Sequence, residues 1–465
     1  MDIIGIVLMR ISEATTNLGS SGPLEVSWFF FKNGGWLVVL TILWPYFLEI
    51  WLNSRQDKYA RTVKWSYLAI DVPKDNEQSP KAVEQIFNQI WGYKSGANFV
   101  EKWWDGVFLQ SISLELVSIG GYIQYIIRTP SIFKDLVESA VYAQYPEADI
   151  TEIEDYTKDI TPDNFREKGY KMWGTQFELT NKEFYPIRTY VFFEHSIAQK
   201  IIDPLSAMLE MMSKLGRDEQ LWFQIVIKAE DDKWRNKAMD LVKDLTGQEV
   251  KKKKGGLDVF LEKIYQTFGF MFPGFKPEEL KKSDFPSKVL YMSKGELENV
   301  NAIEIKASKT AFRTKMRMIY FGKKDSFSKP RGVSPFVGAL KQYAAANLNG
   351  FKPAKLMTTK VDYWRVEQRT YKKQRKILNQ YKSRSLYAGV NPDGYILNVE
   401  ELASLYHFPS LEVKTSSIKT AQSKKAPAPM NVELDWEDKI IEEKVEHQSV
   451  KHESIKESPP SNLPI

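Results

Sequence analysis

The chain has 465 residues, 43% of them hydrophobic, and its 65 Lys and Arg against 59 Asp and Glu leave a net charge of +6. That apolar fraction excludes wholesale disorder, and so small a net charge means that any nucleic-acid role must depend on a local cluster of basic residues. The absence of cysteine excludes disulfide bonds, a thiolate nucleophile, Cys-ligated zinc and an iron–sulfur cluster.

An apolar stretch near the N-terminus predicts a transmembrane anchor over residues 26–53. The window Gly35–Leu52 holds one charged residue, Glu49, and a span needs about 20 mainly apolar residues. Lys and Arg are denser after the stretch than before it, which predicts a single-pass protein with a cytoplasmic C-terminal body. Residues 1–25 form a separate segment, for which an interfacial helix is one option. A buried core helix is the alternative to a span, and the expected anchor residues are Trp36, Trp44, Pro45 and Trp51.

Residues 60–158 predict a first α+β domain in the order β-α-β-β-α-β. Gly120 and Gly121 separate two apolar runs and indicate a hairpin. The order is that of a ferredoxin-like split βαβ unit. The predicted elements are strands at Lys64–Val72, Ile112–Ser118, Tyr122–Arg128 and Asp149–Asp155, and helices at Lys81–Trp91 and Ile132–Gln144.

Residues 165–385 predict a second α+β domain with a similar rhythm and an insertion at 251–293. Met208, Met211 and Met212 fall in one helix, where core filling is a better explanation than a metal or partner site. The fold class is therefore predicted as α+β: an N-terminal transmembrane helix followed by two ferredoxin-like units with helical insertions. The predicted strands are Tyr170–Leu179, Leu221–Ala229 and Phe312–Phe321, and the helices begin at Asp203, Asp232, Glu296 and Pro335.

The C-terminal part of the sequence changes in composition. Residues 386–420 are expected to be a short helical or linker region. Residues 421–465 are polar and rich in Glu, Lys, Ser and Pro, which predicts a disordered charged tail, since such a composition buries too little apolar surface to fold.

Catalytic motifs are missing from the sequence. There is no G-x-x-x-x-G-K-[ST] phosphate loop, no G-x-G-x-x-G, no H-E-x-x-H and no G-x-S-x-G. The four histidines, His195, His407, His447 and His452, show no spacing typical of a metal or nucleophile site. The sequence thus predicts a protein that is not an enzyme, with no catalytic, cofactor-binding or metal-binding residue, and an enzyme with an unrecognised site is the remaining alternative.

A basic segment between Lys352 and Arg384 is the strongest candidate for a binding site. It holds eleven Lys and Arg opposed by Asp362 and Glu367, with four aromatic residues among them. Such a composition suits nucleic acid, because cations neutralise phosphates and aromatic rings stack on bases. Anionic lipid headgroups and a merely solvated helix face are the two alternatives. The candidate contact residues are Lys360, Arg365, Arg369, Lys372, Lys373, Arg375 and Lys376.

Three further stretches carry a resemblance to a known family. They are residues 64–92 (KWSYLAIDVPKDNEQSPKAVEQIFNQIWG), residues 112–156, and residues 394–410 (GYILNVEELASLYHFPS), followed later by PPSNLPI at 459–465. Together with the apolar segment before them, they resemble the N-terminal membrane-anchored region of bacterial type IV secretion and conjugation ATPases of the coupling-protein kind.

The resemblance implies an assembly role without a motor. In that family the E-E-L-A-x-L-x-H-F-P stretch, here Glu400–Pro409, lies shortly before the nucleotide-binding domain, and a P-P-x-N-L-P stretch leads into it. No position of this chain matches the family's ATPase motifs, so no catalytic residue is carried over. The implied function is a non-catalytic, membrane-anchored assembly subunit of a type IV secretion or conjugation-like machine, which docks a separately encoded ATPase. The implied location is the bacterial inner membrane. Other secretion-system subunits, nucleic acid and a second copy of the chain are the further partners considered.

Overall fold

The computed structural model describes residues 28, 31–32, 36–73, 76, 78–94, 96–195, 200–201, 203–248 and 291–409. The predicted N-terminal segment 1–25, nearly all of the insertion at 251–293 and the predicted disordered tail at 421–465 lie outside the described residues.

The helices follow the periodic apolar stretches of the sequence. In the helix Pro80–Trp91, for example, Val83, Ile86, Phe87 and Ile90 recur at helical spacing and all four are buried. The helices are α1 Trp36–Thr62, α2 Pro80–Trp91, α3 Lys134–Gln144, α4 Ser206–Ser213, α5 Lys233–Thr246, α6 Lys294–Ser308, α7 Lys329–Gly332, α8 Ser334–Lys341, α9 Val366–Ser383 and α10 Val399–Leu405.

The strands join in one large antiparallel sheet. The strands are β1 Trp65–Asp71, β2 Ile112–Ile119, β3 Tyr122–Pro130, β4 Asp149–Glu152, β5 Tyr170–Leu179, β6 Glu194–His195, β7 Lys200–Ile201, β8 Glu219–Ala229, β9 Ala311–Lys323, β10 Phe351–Pro353 and β11 Tyr395–Asn398. The order in the sheet is β10-β5-β9-β8-β2-β3-β1-β4, and β11 pairs with β9 beside β5. The short strands β6 and β7 form a separate pair.

The predicted architecture of a transmembrane helix followed by two ferredoxin-like units is wrong. Instead of two separate units, the described residues form a nine-stranded sheet that runs through both halves of the chain. The halves meet where β2 pairs with β8, from Ile112 opposite Ile227 to Ile119 opposite Gln220. Both strands are long and apolar, so each would be an aggregation-prone edge strand if left unpaired. Pairing β2 with β8 removes both of these edges.

The predicted transmembrane span over residues 26–53 is also corrected. No helix within the described part of the chain is long and apolar enough to cross a membrane. Helix α1 has 27 residues, but its apolar stretch ends at Leu52 and Asn53–Thr62 is polar and charged. The expected anchor residues Trp36, Trp44, Pro45 and Trp51 all lie in this helix.

The C-terminal half of α1 packs against the body of the protein. Trp51 Nε1 donates a hydrogen bond to the carbonyl oxygen of Trp103, 3.1 Å away. The ring of Tyr59 meets that of Phe108 edge to face, with centroids 6.0 Å apart. Helix α1 is therefore attached to the segment that precedes β2.

Apolar cores lie on both faces of the sheet. Helices α2, α3, α4, α8 and α10 cover one face, and the predicted core methionines Met208, Met211 and Met212 are buried there, as expected. Helix α9 covers the other face through Ile377, Leu378 and Tyr381. We call this second surface the α9 face.

Candidate nucleic-acid interface

The outward side of α9 gathers basic residues. Arg365 caps the helix, and Arg369, Lys372 and Lys376 follow at spacings of four, three and four. Residues so spaced lie on one helix face, and all four side chains are exposed. These four side chains therefore form one solvent-facing row along α9.

The inward side of α9 fixes that orientation. Ile377, Leu378 and Tyr381 are buried against the sheet. The Gln374 side chain donates to the carbonyl oxygen of Met172 on β5, at 2.7 Å. The exposed cations therefore point away from the sheet by construction.

The other predicted contact residues are held by local partners. Lys373 Nζ donates to the carbonyl oxygens of Thr358 and Lys360, at 2.9 and 3.2 Å. Arg375 forms an ion pair with Asp163, at 2.6 Å. The ammonium of Lys360 lies 3.3 Å from Asp362. These three side chains add positive charge near the surface, but their cationic groups already have partners within the protein.

Two exposed aromatic residues precede the helix. Tyr363 and Trp364 are 81% and 73% exposed. Trp364 and Arg365 have φ of 43° and 48°, the left-handed region that costs energy for residues other than glycine. The guanidinium carbon of Arg365 lies 4.7 Å from the centre of the Trp364 ring, and Arg369 Nη1 donates to the Tyr363 carbonyl at 2.7 Å. The rings are thus held beside the cations.

A row of buried polar residues crosses the sheet beneath α9. The strand register places Gln176 on β5 opposite Arg317 on β9, Arg317 opposite Gln224 on β8, and Gln224 opposite Glu115 on β2. Arg317 Nη1 donates to Gln224 Oε1 at 3.2 Å, and Gln224 Nε2 donates to Glu115 Oε1 at 3.0 Å. The row links four strands and both halves of the sheet.

Arg384, at the C-terminal end of α9, closes this network. Its Nε donates to Glu115 Oε1 at 2.8 Å, and its Nη2 donates to Asp155 Oδ1 at 2.9 Å. Tyr156 Oη donates to Glu115 Oε2 at 2.7 Å. Arg384 was counted within the basic segment from sequence, but it is buried and takes no part in the exposed surface.

The protonation states follow from this arrangement. Burial disfavours the carboxylate of Glu115, but the charge and hydrogen bonds of Arg384 lower its pKa overall. Burial likewise opposes ionisation of Asp155, and Arg384 lowers its pKa to about 2. Both acids are therefore ionised at neutral pH, and Arg384 is their common counter-charge.

The stretch Glu400–Pro409, which carries part of the family resemblance, is structural. Glu401 lies in the first turn of α10 and pairs with the buried ammonium of Lys306, at 3.0 Å. His407 Nε2 lies 2.8 Å from Asp203 Oδ1, and its Nδ1 lies 2.7 Å from the carbonyl oxygen of Ala403. The described residues of the stretch therefore belong to the core rather than to a docking surface.

Sequence reasoning missed the buried row, although a signal was present. Glu115 lies between two leucines and Gln224 lies between Phe223 and Ile225, and a polar residue in such a place must find a partner when it is buried. The partners come from strands far apart in sequence, so only the pairing of the sheet brings them together.

Comparison with known proteins identifies the domain. Residues 57–421 match the family described as a domain of unknown function, DUF8128. No curated protein matches the chain.

Proposed function

The chain belongs to the DUF8128 family, and we propose that it is a non-catalytic module that binds single-stranded nucleic acid along the exposed side of α9. The observation that carries the proposal is the alignment of Arg365, Arg369, Lys372 and Lys376 on one solvent-facing surface beside two exposed aromatic rings.

The geometry suits a single strand. From Arg365 to Lys376 the basic surface extends about 16 Å at the helical rise of 1.5 Å per residue, enough to follow several phosphates. Tyr363 and Trp364 at one end offer rings on which unpaired bases can stack, an interaction worth about 1–3 kcal/mol per base. A duplex keeps its bases stacked and would leave these rings unused.

The test is the salt dependence of binding to a fluorescent single-stranded oligonucleotide. For single strands the slope of log K against log salt is about −0.7 per phosphate neutralised. We expect the triple variant Arg369→Gln, Lys372→Gln, Lys376→Gln to bind more weakly, with a slope smaller in magnitude by about 2. Trp364→Ala should weaken binding with little change in slope, because it removes stacking and no charge.

A charge-matched control separates the site from the overall field. The variant Lys214→Gln, Lys237→Gln, Lys341→Gln removes three other exposed cations and should keep the wild-type slope. Equal losses in the two triple variants would contradict the proposal. The proposal would also be contradicted if the wild-type protein bound anionic vesicles through α9 but bound no oligonucleotide. That result would favour the lipid alternative.

We propose as a second candidate an assembly subunit that docks a separately encoded ATPase, as the family resemblance implies. A cluster of exposed aromatic side chains supports it: Phe99 and Trp104 are exposed where Trp51 contacts Trp103. Exposed aromatic patches are typical of protein-docking surfaces. We expect a native pull-down to recover an ATPase with the wild-type chain, and recovery to fall with Phe99→Ser, Trp104→Ser. A pull-down that recovers no ATPase would contradict this second candidate.

A further inference from the structure

Two cations lie side by side under the loop that follows α9. Lys315 and Arg317 are two residues apart on β9 and therefore point to the same face of the sheet. Both side chains are inaccessible to solvent, with 0% of each residue exposed. Neither belongs to the exposed surface of α9.

The two cationic groups converge on one neutral atom. The Ala388 carbonyl oxygen accepts a hydrogen bond from Arg317 Nη2 at 2.8 Å and another from Lys315 Nζ at 3.2 Å. Arg317 also donates to the Ser385 carbonyl at 2.6 Å. Within the described ranges neither cation forms an ion pair with a carboxylate, and the Arg317 Nε is buried without a hydrogen-bond partner. A carbonyl oxygen thus stands where an anion would be expected.

The charges on the α9 face are unevenly distributed. Arg384 engages two carboxylates, Glu115 and Asp155, whereas among the described residues no carboxylate lies within ion-pair distance of Lys315 or Arg317. Buried cations without a counter-charge are costly. Burial and then the neighbouring Arg317 lower the pKa of Lys315 to about 7, although Asp393 acts in the opposite direction. Burial lowers the pKa of Arg317 to about 10.

The cover over the pair is a loop of unusual backbone, Ser385–Gly394, which we call the cover loop. Gly389, Asn391 and Gly394 have φ of 109°, 53° and 68°. Besides the bonds from Lys315 and Arg317 to its carbonyl oxygens, the loop is held to the sheet by neutral hydrogen bonds, such as that from Gln176 Nε2 to the Val390 carbonyl at 2.7 Å. Because the loop contributes backbone carbonyls and no ion pair to the two cations, a doubly charged oxyanion would be a stronger partner for them.

We propose that Lys315 and Arg317 form a binding site for a small oxyanion of the phosphate class, which takes the place of the Ala388 carbonyl when the cover loop lifts. The site goes beyond nucleic-acid binding on α9, because it lies beneath the cover loop and uses different cations. Its ligand is inorganic phosphate, pyrophosphate or the terminal phosphate of a small molecule.

Calorimetric titration of the full chain with inorganic phosphate and with pyrophosphate tests the proposal. We expect saturable binding, a rise in Tm with ligand concentration, and an affinity at least tenfold lower in Lys315→Met. Lys323→Met is the matched control: Lys323 lies on the same strand, is exposed and pairs with Asp218 at 2.9 Å, so its loss should leave the affinity unchanged. Because Met fills the buried position of Lys315 without charge, that variant should fold.

A second variant addresses the cover loop. Gly389 has φ of 109°, a backbone conformation that is strained for any residue with a Cβ, and a Cβ there would also lie 2.1 Å from Gln176 Oε1, so Gly389→Ala should destabilise the closed position of the cover loop. Because less free energy is then needed to lift the cover loop, phosphate should bind to Gly389→Ala more tightly than to wild type. In wild-type protein an amine-reactive reagent at neutral pH should label Lys315 more slowly when phosphate is present.

The outcomes are decisive in either direction. Absence of phosphate and pyrophosphate binding by both wild type and Gly389→Ala would overturn the proposal, as would binding undiminished in Lys315→Met. The triple α9 variant distinguishes the two sites. If it loses oligonucleotide binding but keeps wild-type phosphate affinity, the cover-loop site stands independently; if it loses both, the phosphate was bound on α9 and the cover-loop site is refuted.

Discussion

Removal of the Arg384 side chain should be among the most damaging single substitutions in the protein. Arg384 Nε lies 2.8 Å from Glu115 and its Nη2 lies 2.9 Å from Asp155. Arg384→Met keeps an unbranched side chain of similar length but leaves the Glu115 carboxylate, which is 0% exposed, without its counter-charge. Breaking a buried ion pair in this way costs about 3–5 kcal/mol. Hydrogen bonds from Ser113, Gln224 and Tyr156 remain on Glu115, so we expect a loss of about 3 kcal/mol, at the lower end.

The assay is equilibrium unfolding in urea at neutral pH, and Arg375→Met is the matched control. Arg375 is on the same helix, and it pairs with Asp163 at the surface, at 2.6 Å. Exposed pairs contribute about 0–1 kcal/mol. If Arg384→Met lost no more stability than Arg375→Met, the buried ion network would not be the strong constraint described here.

A double variant separates the cause from simple loss of packing. Adding Glu115→Gln to Arg384→Met removes the stranded charge while keeping a polar side chain of nearly the same shape. We expect it to recover part of the lost stability, because a neutral amide is cheaper to bury than an unpaired carboxylate. A double variant less stable than Arg384→Met alone would show that packing around Arg384, not charge, dominates.

Three further predictions concern single positions. The pKa of Asp155 is lowered to about 2 against the effect of burial, which gives stability that is present above pH 3.8 and lost as pH falls toward 2. Asp155→Asn should therefore cost about 2 kcal/mol at pH 7 and nothing below pH 2. Urea unfolding across this range measures the difference in stability between wild type and variant, and a difference that stays constant with pH would contradict the prediction. Burial lowers the pKa of His407, but its partner Asp203 raises it overall above 6.5, so the stabilisation by this pair is full below pH 6.5 and lost as pH rises through the folded pKa. The Tm of wild-type protein should therefore fall between pH 6 and 9 through this pair, and His407→Gln should lack that contribution in thermal melts. Gly332→Ala would bring a Cβ within 2.4 Å of the Tyr320 ring and should cost about 1–3 kcal/mol, whereas Gly338→Ala meets nothing within 4 Å and should be neutral or stabilising in unfolding experiments.

Local sequence patterns predicted the regular elements well. The strand at Tyr170–Leu179 was placed to the residue, and the hairpin at Gly120 and Gly121 joins β2 to β3 as expected. These elements are set by short-range periodicity and turn chemistry. The helix predicted to begin at Pro335 ends at Lys341 in the structure, before the run Ala344–Ala346, so a high helix propensity there does not by itself extend the helix.

The architecture was harder to predict, since it depends on which edges meet. Nothing in the spacing of β2 and β8 announces that they pair, yet that pairing turns two expected units into one sheet. The candidate surface on α9 was predictable because its cations are close in sequence. The pair Lys315 and Arg317 was not, because its significance depends on the carbonyl oxygen of Ala388 in a distant loop.

The ion pair between Glu115 and Arg384 also bears on how the chain is made. The two residues are 269 positions apart, so during synthesis β2 is complete long before its buried carboxylate can meet its partner. At about 5–20 residues per second this interval is on the order of tens of seconds. During this interval the first half of the nascent chain carries the Glu115 carboxylate without its counter-charge, and that charge keeps this face of β2 hydrated. Until β8 has been made, the edge of β2 that pairs with β8 is also unpaired. The face of β2 that holds Glu115 therefore cannot reach its final buried state before Arg384 has been synthesised. Folding of the domain is expected to finish only after α9 has left the ribosome.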